Sequence, residues 1–564
     1  MSGKRVVIFG GDPAGVAAAL AQAKAGMEVI LVEGSPSLGA GRLPQTRIVT
    51  NGGSPYLESD WDAVKRHPNI RVITNADVIK TTSVDGTYRF HIRRRTPRVD
   101  PEKCNACNAC IRVCPIHMYD DFNEGIGFRT AIDFFNPKTG VYNIFKEDMP
   151  ICQATCPANL DIRSYVGLIA DGNYAASLAK IRERLPFALS IGRVCPHPCE
   201  TACNRGYVDE PISICTLKRF VADWEMHHAV DPPVDVPEKF SDEKVAVIGA
   251  GPAGLTCAYF LAKAGYQSVV YEAMPEPGGM FRFGIPEYRL PTPTLMREIN
   301  WILAHGAELR CNVRVGKDVS FEDLRKEYAA IFVGVGAWTG MKLGIAGEDL
   351  QGVIDGVVFL RDANLGKKID ARGRVIVVGG GNVAMDAARV SWRAGFEEVH
   401  VFYRRTKKEM PASPWEIEAA EHEGIKFQYL VAPVEVIGES GRMKALKCLR
   451  MQLGEPDASG RRRPVPIEGS EFVVEAETLI AAIGQSPDLK FVPEESGVKI
   501  TRWSTFDVHT ETYVTNVPGI FSAGDCQTGP DIAIRACAGG RKAAAAIVRY
   551  IEGNRRGSQV KGPE

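Results

Sequence analysis

Short apolar runs, each followed by a glycine-rich turn and a helical pattern, occur three times along the chain. The runs at residues 6–9, 245–248 and 374–378 have the length and the β-branched composition of buried strands. Behind each turn, a helical pattern leads to a second apolar run. Strand, helix and strand in this order predict parallel βαβ units, and therefore an α/β fold built from Rossmann-type domains.

The turn at residues 249–254 has the glycine spacing of a dinucleotide-binding site. Gly249 allows the tight turn, Gly251 lets the backbone approach a pyrophosphate, and Gly254 lets the helix pack on the strand. The second strand ends at Glu272, where an acid accepts hydrogen bonds from ribose hydroxyls. The predicted cofactor-binding residues here are Gly249, Gly251, Pro252, Ala253, Gly254 and Glu272.

Another turn of this type follows the run at residues 374–378, and its nucleotide preference differs. Ala384 replaces the third glycine, which this motif tolerates. Where an acid would follow the second strand, two arginines stand instead, and arginines suit a 2′-phosphate. The turn therefore predicts NADP(H) rather than NAD(H); the alternative is a solvated basic loop. Its candidate cofactor-binding residues are Gly379, Gly381, Asn382, Val383, Arg404 and Arg405.

The N-terminal turn, at residues 10–15, copies the spacing of the turn at 249–254 but carries a charge. Asp12 occupies the position of Gly251, and its carboxylate opposes a bound phosphate. We interpret this unit as a degenerate Rossmann-like half domain. A functional nucleotide site is the alternative.

Composition narrows the class of protein. The chain has 564 residues, with 68 basic and 68 acidic side chains, and this length suggests about four domains. Balanced charge argues against a general nucleic-acid binder. No apolar run approaches the ~18 residues of a membrane span, and the N-terminus lacks a signal peptide, so we expect a cytoplasmic protein. In a reducing compartment, the 15 cysteines are not expected to form disulfides.

The cysteines at residues 104–114 have ferredoxin spacing. They follow the pattern C-x2-C-x2-C-x3-C-P, which binds a 4Fe–4S cluster. A zinc site would usually separate two pairs by about 12–20 residues, so iron–sulfur is favoured. The candidate ligands are Cys104, Cys107, Cys110 and Cys114.

A second group of cysteines lies at residues 152–203. Two helical patterns with a break at residues 171–173 would bring its halves together. Cys215 is either a further ligand or a core thiol, and His197 is expected beside a cluster or exposed rather than as a ligand. The candidate ligands are Cys152, Cys156, Cys195, Cys199 and Cys203, more than one cluster needs, so the chain is predicted to hold at least two 4Fe–4S clusters.

Near the C-terminus, Gly524 and Asp525 stand between an apolar strand and a helical pattern over residues 532–550. A carboxylate and amides at such a turn can lie beside a flavin's ribityl and phosphate groups. Because a nucleotide turn precedes it in the chain, this segment predicts the second half of a FAD site.

Together these features resemble the small (β) subunit of NADPH-dependent glutamate synthase, over about residues 150–555. That family shares its plan with the N-terminal half of dihydropyrimidine dehydrogenase. The matching features are Cys156 with the proline after it, Cys199, Cys203 and the segments 192–196, 249–254, 278–291, 379–386, 403–405, 482–484 and 523–525. The resemblance implies FAD, NADP(H) and 4Fe–4S clusters, with hydride passing from NADPH to FAD and single electrons to the clusters. It supports further cofactor-binding candidates: Gly279, Met280, Gly336, Gly484, Gly524 and Asp525.

Residues 1–145 resemble instead a shortened heterodisulfide reductase A subunit, including the motif at residues 123–127. One departure concerns the larger resemblance, because the C-x2-C pair that the family places before Cys152 is absent. One of the family's two clusters is therefore expected to be missing, rewired or completed by cysteines from residues 104–114. The family pattern assigns Cys152 and Cys203 to this cluster, which lost the pair. It assigns Cys156, Cys195 and Cys199 to another cluster, with Cys215 or a non-cysteine group as the fourth ligand.

The predicted architecture is two interleaved Rossmann-type FAD and NAD(P) domains behind the cluster segments. The expected segments are a degenerate half domain (1–95), a ferredoxin-like segment (96–145), a helical iron–sulfur domain (146–240), the first segment of the FAD-binding domain (241–360), an NADP-binding domain (361–480) and the second segment of the FAD-binding domain (481–564).

The predicted function is an electron-transfer subunit that moves electrons between NADP(H), FAD and 4Fe–4S clusters. Its partner would be a ferredoxin or a catalytic subunit, such as a 2-oxoacid oxidoreductase or a glutamate synthase large subunit, in a hetero-oligomeric complex. One alternative is a stand-alone NADPH-dependent flavoenzyme that reduces a small organic substrate. Another is a scaffold whose sites have decayed. No catalytic acid–base pair or nucleophile is expected.

Overall fold

The computed structural model describes residues 5–34, 38, 58–84, 87–94, 99, 103–104, 107–114, 117–119, 128–134, 142–144, 149–228, 230–457 and 460–559. It forms two compact units, Met1–Ile151 with Cys203–Ile212, and Cys152–Ala202 with Ser213–Glu564. Among these described residues, no helix has both the length and the apolar character needed to cross a membrane.

The smaller unit begins with a parallel βαβ sheet. Its elements are β1 (Arg5–Phe9), α1 (Pro13–Lys24), β2 (Glu28–Val32), α2 (Glu58–Arg66) and β3 (Ile70–Ile73), and its strands are ordered β1-β2-β3. Val16 and Ala19 of α1 pack on Val29 and Leu31 of β2, which gives a small apolar core.

Three antiparallel pairs and a short helix follow in this unit. They are β4 (Ala76–Val84) with β5 (Thr87–Arg94), the helix α3 (Ala109–Val113), β6 (His117–Tyr119) with β7 (Phe128–Thr130), and β8 (Ile132–Phe134) with β9 (Tyr142–Ile144).

A helical segment opens the larger unit. Its helices are α4 (Ile151–Thr155), α5 (Ile162–Ala170), α6 (Tyr174–Arg182), α7 (Ala188–Val194), α8 (Pro198–Thr201) and α9 (Ile214–His227). Asp161 and Asn173 cap α5 and α6 through their side chains, so the predicted helix pair with its break at residues 171–173 is confirmed. A buried ion pair of 2.6 Å between Arg182 and Glu225 joins α6 to α9.

The first large sheet starts at residue 245. It uses β10 (Val245–Ile248), α10 (Pro252–Lys263), β11 (Ser268–Tyr271), α11 (Met280–Phe283), α12 (Thr292–Leu303), β12 (Ala307–Arg310), α13 (Phe321–Glu327) and β13 (Ala330–Val333). Every residue of β10, β11 and β13 is buried, as expected for parallel strands covered on both faces.

A second parallel sheet and an antiparallel sheet come next in the chain. Their elements are β14 (Thr339–Gly340), β15 (Val353–Asp355), α14 (Gly356–Asn364), β16 (Arg374–Val378), α15 (Asn382–Ala394), β17 (Glu398–Tyr403), α16 (Pro414–His422), β18 (Lys426–Tyr429), β19 (Val431–Glu439), β20 (Arg442–Pro456), β21 (Arg462–Pro466), β22 (Phe472–Glu475), β23 (Thr478–Ala481) and β24 (Gln485–Ser486). The parallel sheet is ordered β15-β23-β16-β17-β18, and β19 to β22 form the antiparallel sheet.

The chain then returns to the first large sheet. β25 (Ile520–Ser522) pairs in parallel with β13, which gives the order β12-β11-β10-β13-β25. Two helices follow, α17 (Asp525–Thr528) and α18 (Ala533–Gln559). The sheet containing β16 is therefore inserted in sequence between strands of the first sheet, and the predicted α/β class is confirmed.

Candidate nucleotide and iron–sulfur sites

The turn after β10 contains two glycines at which a side chain would clash with the backbone, and one glycine that faces open space. Gly249 has φ +102°, and a Cβ there would lie 2.6 Å from the carbonyl oxygen of Gly334. A Cβ on Gly254 would overlap the carbonyl oxygen of Gly249. Gly251 has extended backbone, and the nearest atom to an added Cβ is the Cα of Gly279 at 3.8 Å. The space in front of Gly251 is thus left for a ligand.

Glu272 stands at the end of β11 and is buried. Its carboxylate oxygens accept hydrogen bonds of 2.8 Å from the backbone N–H groups of Ala250 and Met274. Burial raises the pKa of Glu272, and these backbone donors partly oppose that rise. Each carboxylate oxygen has a second lone pair, so the side chain can fix the turn and still accept from a ribose hydroxyl.

One large cavity in the larger unit brings most of the predicted cofactor-binding residues together. Its volume is about 1510 Å³, above the roughly 300–1,000 Å³ typical of a pocket for one small ligand. Gly254 and Gly524 are not among its lining residues; they pack behind the turns. The predicted residues that line it are Gly249, Gly251, Pro252, Ala253, Glu272, Gly279, Met280, Gly336, Gly379, Gly381, Asn382, Val383, Arg404, Arg405, Gly484 and Asp525.

The C-terminal turn after β25 lies against the first nucleotide turn. Gly524 has φ +78°, and a Cβ there would lie 3.0 Å from the Cβ of Ala253. The next residue, Asp525, lines the cavity, and burial raises the pKa of its carboxyl group to about 7. The turns that follow strands β10 and β25 of the first sheet therefore form one side of the cavity.

The turn after β16 repeats this arrangement. Gly379 has φ +151°, and a Cβ there would overlap the carbonyl oxygen of Ala482. Gly381 has extended backbone with only Pro411 as near as 4.0 Å to an added Cβ. The Asn382 side chain accepts a 2.9 Å hydrogen bond from the backbone N–H of Ser413. This residue therefore also orders the loop beside the turn.

The two arginines after β17 have different surroundings. Arg405 is buried; its guanidinium forms a 2.9 Å ion pair with Asp457 and donates to the carbonyl oxygen of Arg462 at 2.8 Å. Arg404 is exposed and has no hydrogen-bond or ion-pair partner among the described residues. Arg461 also lines the cavity. Sequence reasoning missed this arginine, although the basic run at residues 461–463 was a visible signal.

The N-terminal turn of the smaller unit has the same backbone form. Gly10 has φ +94°, and a Cβ on Gly15 would overlap the carbonyl oxygen of Gly10. The Gly11 N–H donates to the Glu33 carboxylate, as Ala250 does to Glu272. Asp12 caps α1, and its side chain occupies the helix terminus.

The ferredoxin-type cysteines lie on and beside α3 in the smaller unit. Cys107 is exposed, whereas Cys104, Cys110 and Cys114 are half-buried. Pro115 and the motif at residues 123–127 lie outside the described residues. Cys203 precedes a single 3₁₀ turn (Asn204–Tyr207) in the segment that belongs to this unit.

Four cysteines of the larger unit line one small cavity. They are Cys156, Cys195, Cys199 and Cys215. Hydrogen bonding with the Cys215 thiol lowers the pKa of the Cys195 thiol, whereas burial raises the pKa of Cys199 to about 12. Cys152, on α4, is half-buried and does not line this cavity.

Within the described stretches of the chain, no three cysteine, histidine or carboxylate side chains are placed to hold a single metal ion. A 4Fe–4S cluster is larger than one ion, and its thiolates stand around a cage. The donor set of the cysteine cavity, four thiols, fits such a cluster.

The cysteine cavity and the nucleotide cavity share a wall. Cys195 lines the first, while its neighbours Val194 and Pro196 line the second. Helix α18 contributes in the same way, because Ile534 lines the cysteine cavity and Ala533 the nucleotide cavity. Residues 194–196 and the start of α18 thus lie between the two candidate cofactor sites.

His197 lies in the same loop, with φ +41°. Its ring stacks on Trp415 with 4.6 Å between centroids, and its Nδ1 lies 3.2 Å from the Glu200 carboxylate. Its ring therefore contacts the Trp415 ring and the Glu200 carboxylate, while its backbone N–H lies 3.4 Å from the Sγ of Cys195.

Family models match four segments of the chain. The pyridine nucleotide-disulphide oxidoreductase model matches residues 243–540. A dihydropyrimidine dehydrogenase domain II, 4Fe-4S cluster model matches residues 146–230, and a 4Fe-4S binding domain model matches residues 97–119. An FAD dependent oxidoreductase model matches residues 5–60.

Curated relatives agree with these matches. The chain is 40% identical to the NADPH-Fe(3+) oxidoreductase subunit beta of Geobacter sulfurreducens over 80% of its length and 70% of the relative. It is 44% identical to the NADP(+)-dependent formate dehydrogenase subunit beta of Moorella thermoacetica, over 71% of its length and 60% of the relative. It is 34% identical to the glutamate synthase [NADPH] small chain of Escherichia coli, over 78% of its length and 94% of the relative.

Among solved structures, a variant of FprA from Mycobacterium tuberculosis is similar in fold. The TM-score is 0.50 at 20% identity, over 57% of this chain and 88% of FprA.

From the family models and the curated relatives, the chain belongs to the pyridine nucleotide-disulphide oxidoreductase family, in the group of glutamate synthase small chains and related FAD and iron–sulfur β subunits. It carries two domains of 4Fe–4S type.

Proposed function

We propose that this protein transfers electrons between NADP(H), FAD and 4Fe–4S clusters, as the electron-transfer subunit of a larger complex. The observation that carries the proposal is the wall formed by residues 194–196, because it places a cysteine-lined cavity directly behind the nucleotide cavity. Clusters accept electrons one at a time, so a site beside the flavin is the natural outlet for electrons that arrive as hydride.

The nucleotide turns have separate roles in this proposal. Gly251 gives the FAD pyrophosphate access to the N-terminus of α10, and Gly381 does the same for NADP(H) at α15. Asp525 and Glu272 hold the polar groups of FAD, while Arg404 pairs with the 2′-phosphate of NADP(H). A flavin bound here supplies the exchange between two-electron and one-electron chemistry, and the protein supplies placement and exclusion of water.

The cysteine run of the smaller unit suggests which kind of partner accepts or donates the electrons. A ferredoxin-type cysteine run with the exposed Cys107 offers a second cluster near a protein surface. Three relatives carry subunit or chain names of NADPH- or NADP-dependent enzymes. We therefore propose a ferredoxin or a catalytic subunit, such as a 2-oxoacid oxidoreductase or a glutamate synthase large subunit, as partner in the cytoplasm.

Anaerobic stopped-flow spectroscopy tests this function. NADPH is expected to bleach the flavin and then the clusters in a single turnover, with steady turnover only after an acceptor such as ferredoxin is added. Steady NADPH oxidation with a small organic substrate and no protein acceptor would contradict the subunit role. A purified protein without flavin or iron would contradict the cofactor assignment.

A further inference from the structure

Cys215 differs from the other cysteines outside the two predicted ligand groups. Cys257, Cys448, Cys526 and Cys537 are buried among the apolar residues of the sheet domains, and Cys311 is half-buried. Cys215 lines the cavity that also contains Cys156, Cys195 and Cys199.

The contacts of Cys215 fix it to the loop that carries the other thiols. Its backbone N–H donates a 2.6 Å hydrogen bond to the Glu200 carboxylate, next to Cys199. Its Sγ lies 3.5 Å from the carbonyl oxygen of Gly192, three residues before Cys195. The main chain and the side chain of Cys215 are therefore both held against the Cys195–Cys199 loop.

Lys218 lines the same cavity. It follows Cys215 by three positions on α9, a spacing that places both side chains on one face of a helix. Lys218 is 4% exposed, and no carboxylate among the described residues forms an ion pair with it. Glu225, on the same helix, is paired with Arg182.

A buried ammonium group without an anion is costly, by several kcal/mol for an unpaired ion. A negatively charged group bound in the cavity that Lys218 lines would therefore stabilise the ammonium group. A 4Fe–4S cluster held by four thiolates has a net negative charge, and it would supply the missing counterion where the lysine needs it.

We propose that Cys215 is the fourth ligand of a 4Fe–4S cluster held by Cys156, Cys195 and Cys199, with the ammonium group of Lys218 as its buried counterion. This inference rests on the proposed function only in placing the cluster beside the flavin. Of the two alternatives for the fourth ligand, a cysteine or a non-cysteine group, the lining of the cavity favours the cysteine.

The ligand is tested by counting iron and sulfide in the full chain after anaerobic reconstitution, together with EPR of the reduced protein. Cys215→Ala is expected to lower iron per chain and to remove one cluster signal. Cys215→Ser, which keeps an oxygen donor, is expected to retain more iron with an altered signal. Cys448→Ala is the matched control, since it removes a buried thiol far along the chain in the sheet domain, and it should leave iron unchanged.

Wild-type iron content and an unaltered EPR spectrum in Cys215→Ala would overturn the assignment. Flavin content and circular dichroism show whether each variant is folded. If Cys215→Ala does not fold, the Cys215→Ser spectrum decides, because an unchanged signal there excludes ligation by this residue. NADPH-driven flavin bleaching is measured separately, so failure of the electron-transfer function does not affect the iron result.

The counterion is tested by redox titration of the same cluster signal. Lys218→Met is expected to lower its midpoint potential, because the added electron loses a stabilising cation, whereas Lys218→Arg should stay near wild type. Loss of iron in Lys218→Met but not in Lys218→Arg would also support a required cation. An unchanged or raised potential in Lys218→Met, or equal loss of iron in both variants, would contradict the role.

Discussion

The backbone N–H of Gly15 donates a 2.8 Å hydrogen bond to the carboxylate of Asp12 at the start of α1. In the turn after β10, the position equivalent to Asp12 is Gly251, which lines the nucleotide cavity. An anion at a helix N-terminus is stabilised by the free N–H groups and the helix dipole. Asp12 thus provides inside the protein the negative charge that a phosphate would bring.

Exchanging residues between the two turns tests this relationship. Gly251→Asp is expected to abolish FAD retention, since a carboxylate would fill the phosphate position. Asp12→Gly should leave bound flavin unchanged and should lower stability by a few tenths of a kcal/mol, as expected for replacing an N-cap with glycine. Nucleotide released on denaturation is measured by chromatography, and altered nucleotide content in Asp12→Gly would show that the N-terminal turn binds a ligand.

The coenzyme preference is tested at Arg404. Arg404→Ala is expected to raise the Kd for NADPH by roughly 10- to 100-fold, because a charged hydrogen bond contributes about 1.5–3 kcal/mol. Binding of NADH, which lacks the 2′-phosphate, should hardly change. Lys408→Ala, which removes an exposed charge nearby in the sequence, is the matched control. Equal losses for NADPH and NADH would refute the role of Arg404.

Arg405 is expected to act differently from its neighbour. Arg405→Ala removes the contacts to Asp457 and to the carbonyl oxygen of Arg462, which hold the β20–β21 hairpin beside β17. Binding of both coenzymes should weaken to a similar extent, and the thermal stability should fall. A loss confined to NADPH would instead indicate that Arg405 contacts the phosphate.

Glu298 joins the helical segment to the first large sheet domain. Its carboxylate accepts hydrogen bonds from Leu189 N–H at 2.6 Å and from Ser190 N–H at 2.9 Å, at the start of α7. Burial raises the pKa of Glu298 from 4.5 to about 7. The folded state therefore binds a proton more tightly than the unfolded state, so the contribution of this group to stability falls as pH rises from about 4.5 through about 7.

Glu298→Gln, which resembles the protonated form, should remove this component of the pH dependence. The measurement is the thermal midpoint across that pH range, compared with wild type. Glu298→Ala should cost about 1–3 kcal/mol below about pH 4.5, because backbone donors lose their acceptor, and the loss should become smaller as the pH rises through about 7. Parallel pH profiles for wild type and Glu298→Gln would contradict the raised pKa.

Arg289, which is half-buried, forms an ion pair of 2.7 Å with the buried Asp386, between the loop before α12 and helix α15. Arg289→Ala is expected to destabilise the protein by about 3–5 kcal/mol, since it leaves a buried carboxylate without its partner. Adding Asp386→Asn should recover some of that loss. A double-mutant cycle by thermal denaturation measures the coupling, and additive losses would show that the pair is not coupled.

The local nucleotide turns could be predicted from sequence, because their requirements are local. Glycine is required at position 254 by the backbone of Gly249, and at position 249 by the backbone that follows the adjacent strand β13. The strand and helix patterns around both positions are strong. The first sheet also includes β25, about 190 residues after β13; the Gly524–Asp525 motif was the signal that revealed this return.

Other features depended on contacts between distant residues. Arg404 and Arg405 are neighbours in sequence. The ion pair between Arg405 and Asp457, which are 52 positions apart, is what distinguishes the proposed role of Arg405 from that of Arg404. Cys215 has no motif spacing, so the sequence left it as either a ligand or a core thiol, and the cavity that it lines is the observation behind its proposed role as a ligand. The buried surroundings of Lys218 could not be inferred from a lysine within an amphipathic helix.

The shared wall at residues 194–196 has an optical consequence. A flavin bound against one side of this peptide would have the proposed iron–sulfur cluster on the other side, and we expect that cluster to quench the flavin's excited state. Emission from the bound flavin should therefore be dim in the intact protein and should brighten when the iron of that cavity is removed. The protein would then report its own cluster loading in a fluorimeter, without any chemical assay for iron.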